Sequence, residues 1–164
     1  EEAMTDAREF PMHDITQRPM AMYHSCGSHN AWLRPILGRT WLSMERGWAK
    51  NLGLKDGDWV HVTSHHGRIK VQLKLMDGVN PDTVWTWNAI GKRSGAWNLD
   101  KNAPEAKKGF LLNHIISDLL PARGDGYRYS KSDPVTGQAA WYDLRVRIEK
   151  AVGADMSEPQ FEAT

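Results

Sequence analysis

The feature that most restricts this chain is an alternation in which Ile69, Val71, Leu73 and Leu75 are interleaved with Lys70, Gln72 and Lys74. A period of two puts the apolar row on one face of an extended strand, which then needs a sheet or a core to cover it. The neighbouring residues build that sheet. Val60 and Val62 face one way and Trp59, His61 and Thr63 the other, and His65-His66-Gly67 turns the chain back into the alternating strand. Asp56-Gly57-Asp58 precedes this hairpin as a turn, because Gly and Asp tolerate the angles a reversal needs. Asp77-Gly78 and Asn80-Pro81-Asp82 end it before Thr83 to Trp87 resumes as strand. Upstream, Ala49, Leu52 and Leu54 mark a short helix stopped at Gly53, where a positive φ commonly caps a C-terminus. Gly47 to Trp87 is thus predicted to form the core of a small β-barrel or sandwich.

The same stretch carries a resemblance. The run A-K-N-L-G-L-K-D-G-D-W-V-x-V-x-S-x-x-G, followed by V-N-P-D-T-V, resembles the C-terminal molybdopterin-dinucleotide-binding domain of the DMSO reductase-type molybdenum oxidoreductases. That family includes formate dehydrogenases, nitrate reductases and the polysulfide, thiosulfate and tetrathionate reductases. The resemblance implies a fold mainly of β-strands with short helices, a double-psi β-barrel, over residues 10 to 150. Residues 1 to 9 read as a linker, and 151 to 164 as a polar, disordered tail. The string WTWNAIGKRSGAWNL is most similar to the catalytic subunits of sulfite-oxidising enzymes and their thiosulfate- and tetrathionate-reducing relatives.

Composition narrows the partners. A chain of 164 residues is one domain with room for a core, and 21 basic against 20 acidic residues give no field that favours nucleic acid. No apolar run reaches the roughly 18 residues of a membrane span. The chain opens on Glu1-Glu2 rather than an initiator Met, which fits a start removed or lying far upstream. A single cysteine, Cys26, excludes an internal disulfide and a cysteine-ligated cluster on this chain alone. It reads as a small buried thiol and not as a molybdenum ligand. His65 and His66 read as exposed turn residues with diverging side chains, so no metal ligand is expected.

The chemistry concentrates in the loops. Phe10 to Tyr23 reads as a first strand, confined to an edge or split in two by Pro11 and Pro19. The segment after it, Tyr23 to Arg34, is rich in small and polar residues that let a ligand approach the backbone. Its residues alone allow a helix-capping loop with Ser28 or Asn30 as N-cap. The resemblance places His24, Ser25, Ser28, His29 and Asn30 at the cofactor instead. After the strand ending at Trp87, Gly91 and Gly95 bracket Lys92-Arg93, which suits either a solvated loop or an anion site. By resemblance this loop borders the cofactor through Trp87, Asn88, Lys92 and Arg93. Gly109 to Leu120 reads as an amphipathic helix. Within it Asn113 occupies the family's cofactor-facing asparagine position, with an ordinary capping amide as the alternative. Asp133 to Gly137 matches the family's D-P-x-S/T-G turn, and the resemblance places Gln138, just after it, at the same site. Tyr142 to Ile148 closes the fold as a half-buried strand.

The resemblance further implies a bis-molybdopterin guanine dinucleotide cofactor with molybdenum in the complete enzyme. Iron–sulfur centres would lie only in other domains or partner subunits. This chain would hold no metal ligand and no catalytic residue, would turn over nothing alone, and would close over the cofactor in sulfur-oxyanion redox chemistry. Its expected partners are the remaining domains of the large subunit, an iron–sulfur electron-transfer subunit, and a membrane anchor subunit. Its expected location is the cytoplasm, or the membrane through those partners. A free-standing double-psi barrel subunit, or a peptide-binding adaptor without cofactor, is the competing reading.

Overall fold

The computed structural model describes residues 5–88, 90–92, 95–116, 132–133, 135–139, 144–152 and 161–163. Six strands form the body: β1 (Met12–Gln17), β2 (Leu42–Glu45), β3 (Trp59–Ser64), β4 (Gly67–Met76), β5 (Thr83–Trp87) and β6 (Leu144–Lys150). They are hydrogen-bonded in the order β2-β5-β1-β6-β3-β4, and β4 returns to β2 to close the ring. The β1–β5 and β2–β4 pairs are parallel and the other four antiparallel. This closed six-stranded barrel is the double-psi arrangement expected above.

The alternations set the register. Val60 opposes Val71 and Val62 opposes Ile69 across the β3–β4 hairpin, while Val62 opposes Ile148 on the other side. All five lie in the core with Met12, Leu42, Met44, Leu73, Val84, Leu144 and Val146. One helix, α1 (Arg46–Asn51), lies between β2 and β3. The Glu45 carboxylate accepts from Gly47 and Trp48 N–H at 2.7 Å each, which caps the first turn. At the other end Gly53 (φ 69°) donates to Lys50 O and Leu54 to Ala49 O, the paired bonds of a Schellman stop.

Four expectations need correction. β1 is an interior strand between β5 and β6; Pro11 and Pro19 fall outside its ends and so remove no ladder hydrogen bond. Of the helix expected over Gly109–Leu120, the described residues 109–116 form only a 3-10 turn, Leu112–Ile115, with Ile116 already extended (φ −116°, ψ 139°), and 117–120 lie outside the described residues. Lys70 and Arg145, expected on open faces, are buried at 4% and 7% exposure. Lys70 lies over the Trp59 ring, while the Arg145 guanidinium donates to Phe10 O and meets His13 Nε2 at 2.9 Å. Finally, Phe161–Ala163 of the expected tail forms a short strand, β7, antiparallel to the first residues of β4. β2 pairs only with Leu73–Met76 of β4, which leaves the start of β4 a free edge for β7. Tyr142 and Asp143 lie outside the described residues.

Candidate cofactor-binding site

Two loops leaving the barrel beside one another build the site. The first follows β1. His24–His29 forms a 3-10 turn that opens on His24 with φ 47°. Ser28 is buried, and its Oγ has no hydrogen-bond partner among the described residues. Asn30 takes the capping role, its Oδ1 accepting from Trp32 N–H at 2.9 Å. Arg34 reaches back, its Nη1 donating to Ser28 O at 3.1 Å and His29 O at 3.4 Å, so the turn is tied across its open side. Cys26 is exposed on this turn, contrary to the buried thiol expected; a single 3-10 turn is too thin to bury a side chain on both faces.

The second loop follows β5. Asn88 N–H donates to Gln17 O at 2.9 Å, continuing the β1–β5 pairing by one residue. Its side-chain Oδ1 is buried with no partner among the described residues. Thr40 bridges two chain segments, its Oγ1 donating to Trp87 O and its N–H to Lys108 O. There the chain crosses itself at glycines. A Cβ on Gly91 would lie 2.0 Å from Lys108 O, and one on Gly109 would lie 2.5 Å from Gly91 C. Only two residues without side chains allow this approach. A cleft of about 160 Å³ opens beside the crossing, lined by Ser25, Gly91, Lys92, Ala96, Gly109 and Phe110.

Next to the cleft the backbone is strained. After Gly95 (φ 82°), Trp97 and Asn98 are both left-handed, at φ 56° and 58°. Each such residue costs about 1–2 kcal/mol, more than a bulky aromatic tolerates without compensating contacts. Those contacts are with charged and ring groups. Lys92 Nζ lies 4.4 Å from the Trp97 ring centre, Arg34 Cζ 5.9 Å, and the His29 ring 5.1 Å.

The structure thus joins Ser25 and Lys92 in one cleft, and His29 and Lys92 on one indole. Asn113 is exposed on the 3-10 turn directly after Phe110 and Leu111, so it stands near the cleft rim. The His24 ring packs edge-on against Tyr23. Trp87 stacks edge-to-face with Trp85 at 4.6 Å and does not line the cleft. Gln138 is exposed on the turn that the Asp133 carboxylate organises, accepting from Val135 and Thr136 N–H. These bonds hold the Asp133 carboxyl below its ordinary range. Arg93 lies outside the described residues. Sequence reasoning missed Trp97 and Arg34; the glycine before an aromatic in S-G-A-W was the available sign of the first, and nothing local marked the second. Among the described residues no group of three His, Cys, Asp or Glu is placed to hold a metal. The His65 and His66 rings do not diverge but stack at 3.8 Å, since a two-residue turn leaves them on the same side.

Comparison with known proteins gives the same direction. The profile of the Molydopterin dinucleotide binding domain matches residues 12–124. A sulfite dehydrogenase subunit from Allochromatium vinosum is 52% identical over 163 residues, covering 98% of this chain and 17% of that protein. ArrA, the molybdopterin-containing subunit of the arsenate respiratory reductase of Shewanella sp. strain ANA-3, is 34% identical over 106 residues, 62% of this chain and 10% of that one. The chain therefore spans about a sixth or less of the length of these relatives. Among solved structures, acetylene hydratase from Pelobacter acetylenicus superposes with a TM-score of 0.62 over 88% of this chain and 19% of its own, at 19% identity, which speaks for the fold alone.

Proposed function

The chain belongs to the molybdopterin dinucleotide-binding domain family, and we propose that it serves as the closing domain of a molybdenum oxidoreductase large subunit, holding one side of a bis-molybdopterin guanine dinucleotide. The observation that carries this reading is the pair of buried polar atoms without partners among the described residues, Ser28 Oγ and Asn88 Oδ1, on the two loops beside the cleft. A buried oxygen without a partner costs about 1–3 kcal/mol, a penalty that a polar ligand relieves. The Gly91–Gly109 crossing adds a surface free of side chains against which a flat heterocycle can lie. The cleft is smaller than the roughly 300–1,000 Å³ of a complete ligand pocket. This chain therefore supplies one wall, and the other domains supply the rest.

When bound, the molybdenum would supply the redox chemistry. The residues of this chain bind and orient. Ser25 and Lys92 line the cleft and offer a hydrogen bond and a positive charge, while Ser28, His29 and Asn88 on the adjoining loops and Asn113 at the rim are the further proposed contacts. His24, Asn30, Trp87, Arg93 and Gln138 complete the proposed contact set. Hydrogen bonds of this kind fix a metal's ligands and tune its potential without touching the metal. The 52% identity to a protein named for sulfite dehydrogenation favours a sulfur oxyanion as substrate of the whole enzyme. The proposed partners are two further subunits, one carrying iron–sulfur centres and one anchoring the complex to a membrane, which would place it in the cytoplasm or at the membrane.

Substitution tests this reading. In the full-length protein, His29→Ala and Asn113→Ala should each lower guanine-nucleotide and molybdenum content, by about tenfold in affinity for a lost hydrogen bond to a charged or desolvated ligand. Circular dichroism should stay unchanged. Full loading of both variants would remove these residues from the site.

A further inference from the structure

The geometry points to a tetrahedral-oxyanion site of the phosphoryl type, built on Trp97 from Lys92, Arg34 and His29 at the mouth of the cleft. The inference rests on the cofactor reading above for its location, but its physical basis is separate. Several basic side chains elsewhere in the described residues pair with carboxylates: Arg46 with Asp77, Lys108 with Glu105, Arg147 with Glu149, and Lys150 with Asp58. Lys92 and Arg34 make no ion pair with a described carboxylate. They are held instead by the face of one neutral indole, at 4.4 and 5.9 Å. A π face positions a cation without cancelling its charge, so both charges stay available to a ligand.

The three groups differ in a way that suits an oxyanion. Arg34 is fixed by its two bonds to backbone carbonyls, which leaves its other guanidinium N–H groups for a fork-like contact. Lys92 adds a compact charge and lines the cleft. His29 packs on the same ring as a third donor. The successive left-handed Trp97 and Asn98 aim the indole where both loops meet, and backbone strain of this kind persists where a site requires it. Arg39 and Lys74 also share an indole, that of Trp41, but Arg39 is spent on a hydrogen bond to Gln72 and neither residue lines the cleft. The oxyanion has two sources to distinguish, the diphosphate of a bound dinucleotide and a free tetrahedral anion.

The test uses the full-length protein with Lys92→Gln, Lys92→Arg and Trp97→Gly, the last of which relieves the strain while removing the platform. Two quantities are measured: guanine nucleotide released by acid per protein, and the affinity for inorganic phosphate and pyrophosphate. If the dinucleotide's diphosphate is the ligand, Lys92→Gln and Trp97→Gly lose nucleotide severalfold and Lys92→Arg retains it. If a free anion is the ligand, all three keep their nucleotide, while phosphate or pyrophosphate binding weakens about tenfold in Lys92→Gln and Trp97→Gly only. Unchanged nucleotide and unchanged anion affinity in Lys92→Gln and Trp97→Gly would overturn the inference, as would a Lys92→Arg variant that behaves like Lys92→Gln. A wild-type protein without nucleotide would defeat the cofactor reading, and the anion titration would still decide the cluster.

Discussion

Asp14 shares the inward row of β1 with Met12 and lies opposite Val84 and Leu144, both core residues. It is fully buried, and neither carboxylate oxygen has a partner among the described residues. Burial alone therefore pushes its pKa well above the ordinary carboxylate value, because a low-dielectric site disfavours the charged form. The unfolded chain releases that proton near pH 4, so Asp14 favours folding only below that pH. Its contribution is lost as pH rises from about 4 toward the raised folded value, by up to about 1.4 kcal/mol per pH unit. Asp14→Asn should remove this dependence. The variant should melt above the wild type at pH 8, with the gap narrowing toward pH 4, and parallel melting curves across that range would show that Asp14 is solvated or paired. Nothing in the alternation of M-H-D-I-T-Q distinguishes this inward aspartate from an ordinary core position occupied by the wrong residue type.

Among the elements, the glycine crossing separates what the sequence could reveal from what it could not. Gly53 and Gly91 have similar positive φ, 69° and 78°, yet a Cβ on Gly53 meets nothing within 4 Å while one on Gly91 meets the backbone of the next loop. Gly53→Ala should cost only the left-handed penalty, about 1 kcal/mol. Gly109→Ala, whose φ is not left-handed, isolates the contact and should cost about 1–3 kcal/mol as an overpacked site. Gly91→Ala suffers both effects and should be the least stable of the three in urea titration; equal losses at Gly53 and Gly91 would show that the loops do not meet. Gly53 was legible because a helix stop is local, and the β3–β4 hairpin was legible because two-residue periodicity is local. The Gly91–Gly109 contact, the burial of Arg145 against Phe10 and His13, and the addition of β7 to β4 each join residues distant in sequence, so no local pattern encodes them. Over its described part, 109–116, the expected helix failed for the complementary reason: its apolar spacing is helical, but Phe110 and the tight turn that carries Leu112 and Ile115 pack into the core without it.

At the scale of the molecule, the site occupies one side of a small barrel, and the loop that carries half of it is unusually apolar outside. Met20, Tyr23, Trp32 and Ile36 are largely exposed, and the groove of about 620 Å³ they adjoin runs from Arg18 to Tyr23 and includes Leu33. Large apolar side chains gathered on one loop mark a buried contact in the complete protein, and the chain accounts for only 17% of the length of its sulfite dehydrogenase relative. We propose that further domains of a longer polypeptide cover this face. Replacing Trp32 and Ile36 with Glu should therefore lower the melting temperature of the full-length protein while leaving that of the 164-residue chain within about 0.5 kcal/mol of stability, as for surface substitutions generally. A loss confined to the short chain would contradict that assignment. The most direct test of the cofactor wall is amide hydrogen exchange on the full-length protein, with and without its dinucleotide cofactor. Slowed exchange at residues 24–30, 88–97 and 109–113, with the hairpin at 64–67 unchanged, is the predicted result. Equal exchange in those three segments with and without cofactor would contradict the assignment of this face as the cofactor's wall.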